Sequence, residues 1–404
     1  MAKNHDESSQ ELKVNVVISP DAGSELDTTR AEVAVRRHLA QTSSNAQQWV
    51  ELAAALVTQS ILEEREGQAR DAIAVADEAL AAVRQAVSLR KSPDMIANLT
   101  VALAHLGRLK LESDDLDGAL EAFTEAVAAN REYPESAVDL AMSLDGLAAA
   151  RQAAGEDDLA EQALEEALSI GRTQIEGKAE PHALRTLVAI LDRCIDLKLD
   201  ADDPEGAMQL VREAVSTGRS LMQLDPSVES RRELDRFLDE LARHELESRN
   251  IESAFELYAE SLCLNRAIAA EDPSPESLMG LSISLNNVAQ CEMLRQHVDR
   301  AVLLCSEVLD IRVALAAEEC TEEVAERLRS AVGAIGSIFQ DQRWATWSNG
   351  PAGRSLDGLG TQQSFLASWI SALKALGETD ATIAPFQDRL LDVQQRISVC
   401  PGEA

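Results

Sequence analysis

The sequence predicts an all-α solenoid of about six antiparallel helix pairs with helical caps, and three observations carry that prediction. A helix-like phrase returns in altered spellings: QARDAIAVADEAL, DLDGALEAFTEAV, DPEGAMQLVREAV, NIESAFELYAESL and HVDRAVLLCSEVL. Within it an alanine recurs at Ala72, Ala119, Ala160, Ala207, Ala254 and Ala301, in steps of 47, 41, 47, 47 and 47 residues. Two leucine columns precede every anchor, Leu56, Leu103, Leu144, Leu191, Leu238 and Leu285 at sixteen residues, and Leu52, Leu99, Leu140, Leu187, Leu234 and Leu281 at twenty. Leucines four apart share one helix face. A fixed period means units that bury their apolar faces against one another.

The chain divides accordingly. Residues 1–28 read as a flexible tail that holds one strand-like run, LKVNVVIS, which would need a partner edge because lone strands are unstable. A capping helix is expected over 29–44, in AEVAVRRHLAQ. The array spans 45–340, with pairs near 45–88, 94–131, 135–174, 181–222, 227–269 and 275–317, then an unpaired helix near 321–340. Each second helix carries its anchor alanine, an aliphatic residue eight later (Leu80, Val127, Leu168, Val215, Leu262, Leu309) and a small residue seven later, with Val308 the larger exception. Small residues recur twelve before the anchor at Ser60, Gly107, Ala148, Ala242 and Ala289, with Ile195 the exception, so helices are expected to cross closely there. Pro93, Pro134, Pro181 and Pro275 mark first turns. Arg84, Arg131, Arg172, Arg219 and Arg266 stand late in the second helices, where a cation suits the helix dipole. Residues 341–360, rich in Gly and Ser, read as a flexible loop, and 361–404 as a cap of two helices. Half of the twelve aromatics fall between Phe339 and Phe386.

These columns resemble the tetratricopeptide repeat (TPR), which places a small residue at the close helix crossing and Ala early in the second helix, followed by a bulky residue four later. Phe123, Leu164, Val211 and Tyr258 hold that bulky position here. The 47-residue period is similar to kinesin-light-chain-like and bacterial members with long helices. The chain departs from the pattern in three ways. Leu replaces the aromatic of the first helix, the usual Tyr position is polar (Glu63, Lys110, Arg151, Lys198, Glu245, Glu292), and the third unit has Glu161 where others are apolar. The resemblance covers about Asn45 to Phe339, and implies a right-handed superhelix whose first helices line a concave groove.

Composition narrows function. Asp and Glu number 70 against 37 Lys and Arg, a formal net charge of -33. Nucleic acid and anionic membranes attract the opposite balance. The polar N-terminus lacks an apolar signal core, and six scattered cysteines read as buried small hydrophobes in a reducing compartment, so the expectation is cytoplasmic. The six histidines form no HExxH pair, AVGAIGS and GRSLDGLG have no phosphate-cradle spacing, and DADDPEG does not space calcium ligands. No enzyme constellation, metal site or cofactor is expected.

What remains is a surface. The resemblance places Asp145, Asp192, Asp239 and Asn286, with Asp196, Arg243 and Gln290 one turn on, along the groove, and Asp200 beside them. TPR domains that clamp a C-terminal carboxylate resemble one another in carrying Lys and Asn there. This chain has acids instead, so a basic or polar protein or peptide segment is the expected partner. The expected function is a non-catalytic scaffold. The alternative is a regulatory subunit of a separately encoded enzyme, or a second copy of the chain, docking through the N-terminal strand or the aromatic C-terminal region, with Trp344 and Trp347 as its contacts.

Overall fold

The computed structural model describes residues 25–43, 45–132, 137–177, 179–318 and 321–399; the strand-like run at 12–19 and Pro134 lie outside them. Among the described residues all regular structure is helical. The chain forms two compact units, Met1–Lys178 and Ala179–Ala404. The first holds α1 (Glu25–Thr42) and the pairs α2 (Ala46–Arg65) with α3 (Ala69–Leu89), α4 (Pro93–Glu112) with α5 (Leu116–Glu132), and α6 (Ala137–Ala153) with α7 (Asp157–Ile175). The second begins with the pairs α8 (Pro181–Asp200) with α9 (Pro204–Leu224), α10 (Val228–Glu247) with α11 (Ile251–Glu271), and α12 (Pro275–Leu294) with α13 (Val298–Glu318).

One turn geometry joins the two helices of every described pair. Five residues before each anchor alanine, Gly67, Asp114, Gly155, Asp202, Arg249 and Gln296 adopt positive φ, between 57° and 76°. The next backbone N–H reaches back to the carbonyl of Glu63, Lys110, Arg151, Lys198, Glu245 or Glu292 at 2.8–2.9 Å. This is the Schellman arrangement, which satisfies carbonyls left open at a helix end. The polar positions that depart from the TPR pattern therefore sit where the first helix ends. Pro93, Pro181 and Pro275 open α4, α8 and α12 as expected.

The expected columns are the contact surfaces. The six anchor alanines and the leucines sixteen residues earlier are all at most 2% exposed. At the first crossing Ser60 Oγ donates to the carbonyl of Ala72 at 2.8 Å, so the α2 side chain touches the α3 backbone. In the second pair Phe123 lies between two glycines. A Cβ on Gly107 would come within 2.8 Å of its ring, and one on Gly146 of α6 would overlap it. Two column members, Leu140 and Leu168, are only half-buried, and both belong to the pair that carries Glu161.

The recurrent arginines do more than face a helix end. Arg84 pairs with Glu125 (2.6 Å) and Arg131 with Glu166 (2.6 Å) in the first unit; Arg219 pairs with Glu260 (2.6 Å) and Arg266 with Glu307 (2.8 Å) in the second. Each bond links one second helix to the next. Arg37 of α1 extends the series by binding Glu78 through two contacts of 2.7 and 2.9 Å. Since Arg37 precedes Arg84 by one 47-residue period, α1 is in register with the second helices. The glutamates, Glu78 to Glu307, form an invariant column six residues after each anchor.

The C-terminal region corrects one expectation. After α14 (Glu322–Gly336) and a 3-10 turn (Ser337–Gln340), the segment expected to be a flexible loop folds into α15 (Gln342–Asn349) and α16 (Pro351–Arg354). Its glycines serve close approach: a Cβ on Gly353 would strike the Trp347 carbonyl, and one on Gly358 the Ala352 carbonyl. The buried Gln362 amide donates to the Gly353 carbonyl at 2.8 Å. Next, α17 (Leu356–Ala375) packs along α13 and pairs with α18 (Asp380–Val399). Trp344, Phe365, Trp369 and Phe386 form a chain of tilted and edge contacts with centroids 5.7, 6.4 and 5.8 Å apart.

Substitutions at the turn and at the Phe123 contact test this packing. Arg249→Gly should stabilise by about 0.5–1 kcal/mol, because a side chain strains the left-handed region, whereas Gly155→Ala should destabilise by about 1 kcal/mol. Equal melting temperatures for both would contradict the turn assignment. Gly146→Val should cost about 1–3 kcal/mol by overpacking against Phe123, and adding Phe123→Leu should restore part of that loss in urea unfolding.

Candidate functional site

The candidate surface is the face of the first helices repeated at intervals of four, three and four residues. In the first unit α2, α4 and α6 pack side by side and present it in series. Here it is mainly apolar. Val101 is 59% exposed, Met142 45% and Ile61 36%, with Val57 and Ala104 half-buried beside them. Asp145 is half-buried on α6. Arg108 is held by Glu64 through two bonds of 2.6 Å.

In the second unit the same face is charged, with both signs present. Asp192 lies on α8 with its Oδ1 2.7 Å from Arg236 Nη1 of α10, so its charge is already matched. Asp196 and Asp200 are exposed on the following turns of α8. Desolvation and then the Asp192 charge hold the Asp196 carboxyl above its ordinary range. Asp239, on α10, is half-buried. Burial and the neighbouring Asp235 push its pKa up to about 6, against the opposing pull of Ser261 and Arg243. Arg243 is exposed one turn further on. On α12, Asn286 and Gln290 line a cavity of about 410 Å³ whose apolar wall includes Met293, Ile335 and Ile338.

The structure thus joins Asp192 to α10, sets Asp239 near Arg243, and gathers Asn286 with Gln290 at one cavity. Asp145 stands in the other unit. Trp344, offered as a docking residue, is 1% exposed and packs in the C-terminal core, which removes it as a surface contact. Trp347 is half-buried, 5.4 Å from it. Reading the acids alone missed Arg236, although it stands in the exposed column of Val101, Met142 and Ile283. It also missed Asp235, whose importance comes from burial rather than from position in the repeat.

No group of three or more His, Cys, Asp or Glu residues able to hold a metal occurs among the described residues. Cys194, Cys291 and Cys305 are buried as expected, but Cys263 is exposed. Burial pushes the Cys291 and Cys305 thiols up to about 11 and about 12, so both stay protonated at neutral pH and make poor nucleophiles.

Asp239 generates a pH prediction. Its folded pKa of about 6 exceeds the unfolded value of about 3.9, so the folded state holds the proton more tightly. The destabilisation is absent below about pH 4, grows between pH 4 and 6, and is complete above the folded pKa. Asp239→Asn should therefore be more stable than the parent by about 1–3 kcal/mol at pH 7.5, with the difference vanishing near pH 4. Urea midpoints at the two pH values check this, and a difference that does not depend on pH would contradict it.

No protein-family model matches the chain, and no curated protein matches it either. Solved structures do. The chain is similar to the nuclear import adaptor Nro1 of S. pombe at 12% identity, over 70% of this chain and 98% of that one, with a TM-score of 0.50. It is similar to BtubC (BKLC) from P. vanneervenii at 17% identity, over 60% and 90%, with a TM-score of 0.47. A third similar structure is YrrB, described as a TPR protein with an unusual peptide-binding site, at 13% identity over 61% and 97%, with a TM-score of 0.33. At these identities the likeness is one of fold: the chain is an all-helical protein of stacked helix pairs, similar in fold to these repeat structures.

Proposed function

We propose that the protein is a non-catalytic scaffold that binds a protein or peptide segment along the outward faces of its first helices. The observation that carries this reading is that those faces bear large exposed apolar side chains in one unit and clustered charge in the other. Val101 and Met142 are about half exposed. Asp196, Asp200 and Arg243 are exposed on α8 and α10. Contiguous apolar surface on a soluble protein usually marks an interaction site. The matching partner segment carries apolar side chains and basic or polar ones. No helix among the described residues is long and apolar enough to cross a membrane, and a cytoplasmic setting is part of the proposal. So is the exclusion of nucleic acid, which a net charge of -33 disfavours.

The second reading, a regulatory subunit docking through its C-terminal aromatics, loses its main support with the burial of Trp344. Its other anchor, the run at 12–19, lies outside the described residues.

The test compares partners captured by the parent chain with those captured by two face variants. Asp196→Lys with Asp200→Lys reverses exposed charge, and should slow association most, because clustered charge steers encounter. Val101→Glu with Met142→Glu places charge in the apolar face and should speed dissociation. Parent binding should weaken as salt rises, since exposed charges are screened over about 8–10 Å. A single exposed pair contributes only about 0–1 kcal/mol, so Asp196→Lys alone should change little. A partner that binds the parent and both double variants equally well, with melting temperatures unchanged, would contradict the proposal.

A further inference from the structure

A cavity of about 500 Å³ opens in the second unit between the N-terminal halves of α10 and α12, with α11, α13 and α14 behind it. Its walls include Met279, Ile283 and Leu315. Arg232, Met279 and Ile283 at its edge are in register with Asp239 and Asn286, so the cavity adjoins the proposed docking face.

Asp235 lines this cavity beside Asn265. Ser261 Oγ donates to Asp235 Oδ1 at 2.6 Å, and Asn265, itself 5% exposed, donates to Ser284 Oγ at 2.8 Å. Among the described residues the groups that hydrogen-bond Asp235 are these neutral ones, Ser261 and Asn265. The guanidinium groups on the lining are already matched: Arg232 lies 3.3 Å from Asp272 and 4.0 Å from Glu276, and Arg327 pairs with Glu323. A carboxylate thus stands in a recess whose wall is partly apolar, hydrogen-bonded by neutral groups, while the guanidinium groups on the lining are held by other acids. Burial raises the pKa of Asp235, and the Asp235 charge in turn contributes to the raised value of Asp239 one turn along. A cation entering the recess would relieve both.

The recess is kept open by Gly280. A Cβ there would come within 2.9 Å of Asn265 Oδ1 and narrow the approach to the Asn265–Asp235 end. The corresponding positions of the other first helices are Glu51, Asn98, Asp139, Thr186 and Glu233, so this is the one unit whose residue at that point has no side chain.

We infer that this cavity receives the side chain of a lysine or arginine from the bound segment, with the aliphatic stem against Met279, Ile283 and Leu315 and the cationic head at Asp235 and Asn265. The inference rests on the docking reading above and names the side-chain chemistry the partner must offer. A neutral side chain would leave the carboxylate without a counter-ion, and an anionic one would meet it head on.

The test uses n-butylammonium and n-butylguanidinium chlorides as side-chain probes on the full chain, with butyramide and n-butanol as neutral controls. The ε-methyl resonance of Met279, labelled with carbon-13, reports occupancy. Both cations should shift it saturably, with the neutral controls weaker by about tenfold or more, a difference of about 1.4 kcal/mol. The relative strength of the two cations separates a lysine from an arginine pocket. Asp235→Asn should reduce cation affinity by about tenfold while leaving the far-ultraviolet circular dichroism unchanged, and Gly280→Leu should abolish the shift. Neutral probes binding as tightly as cations, or an Asp235→Asn variant that keeps full affinity, would overturn the inference. Such a result, with partner binding still lost in the α8 and apolar-face variants, would leave the docking reading standing. The cation response with partner binding indifferent to those variants would instead remove the docking reading and keep the pocket.

Discussion

Every repeat depends on one close contact, where the first helix crosses the anchor alanine of the second. The alanine there is buried to 0–1% exposure in each described pair, which leaves room for a side chain of the first helix to reach the opposing backbone. Ser60 does so directly at Ala72. That proximity sets what else the repeat needs. The turn between the helices must be short, and the Schellman geometry five residues before the anchor supplies it even where Asp, Arg or Gln must take positive φ. Leucines on the same face then fall into register with the next unit, and the first helices keep an outward face with exposed side chains such as Val101, Met142 and Ile283.

Charge is distributed around that arrangement with a division of labour. Glu78, Glu125, Glu166, Glu260 and Glu307 of the column on the second helices are bound by arginines of neighbouring helices, so part of the acidic composition is neutralised within each unit. Each exposed bond contributes little to stability, but its recurrence favours one register of successive helices over others. On the first-helix face Asp192 has Arg236, whereas burial raises the pKa of Asp235, whose hydrogen-bond partners are neutral, and of Asp239, where Arg243 offsets only part of the effect. Uncompensated charge that the fold tolerates at a surface cavity is a reason to look for a ligand there.

Much of the fold was legible because a period converts weak signals into columns. A buried leucine cannot be told from any other leucine, but six at one offset from a recurrent alanine can. The expected pair bounds agree with the observed ones to within about two residues from α2 to α13, while the helix expected over 321–340 ends at Gly336 and passes into a 3-10 turn. The failures have physical causes as well. The left-handed turn position is occupied by Gly, Asp, Arg and Gln, so no residue type announces it. Glycine-rich sequence at 348–360 was read as flexibility, but Gly353 and Gly358 there permit backbone contact, and composition alone does not distinguish the two uses. Tryptophans near a chain end suggested a docking surface, but Trp344 forms part of a small core. On the candidate face the positions of the acids were readable, but their states were not. Whether Asp192 is paired or Asp239 desolvated depends on α10, α11 and α12 together, which no single helix discloses.

The central claim is that the anchor alanines are the points of closest helix approach, so that added volume there must force the pair apart. Equilibrium urea unfolding of Ala207→Leu and Ala254→Leu, beside the exposed control Ala189→Leu, measures this directly. The account predicts that each anchor variant loses about 1–3 kcal/mol, while the control stays within about 0.5 kcal/mol of the parent. Anchor variants as stable as the parent, or a control that loses as much as they do, would contradict it.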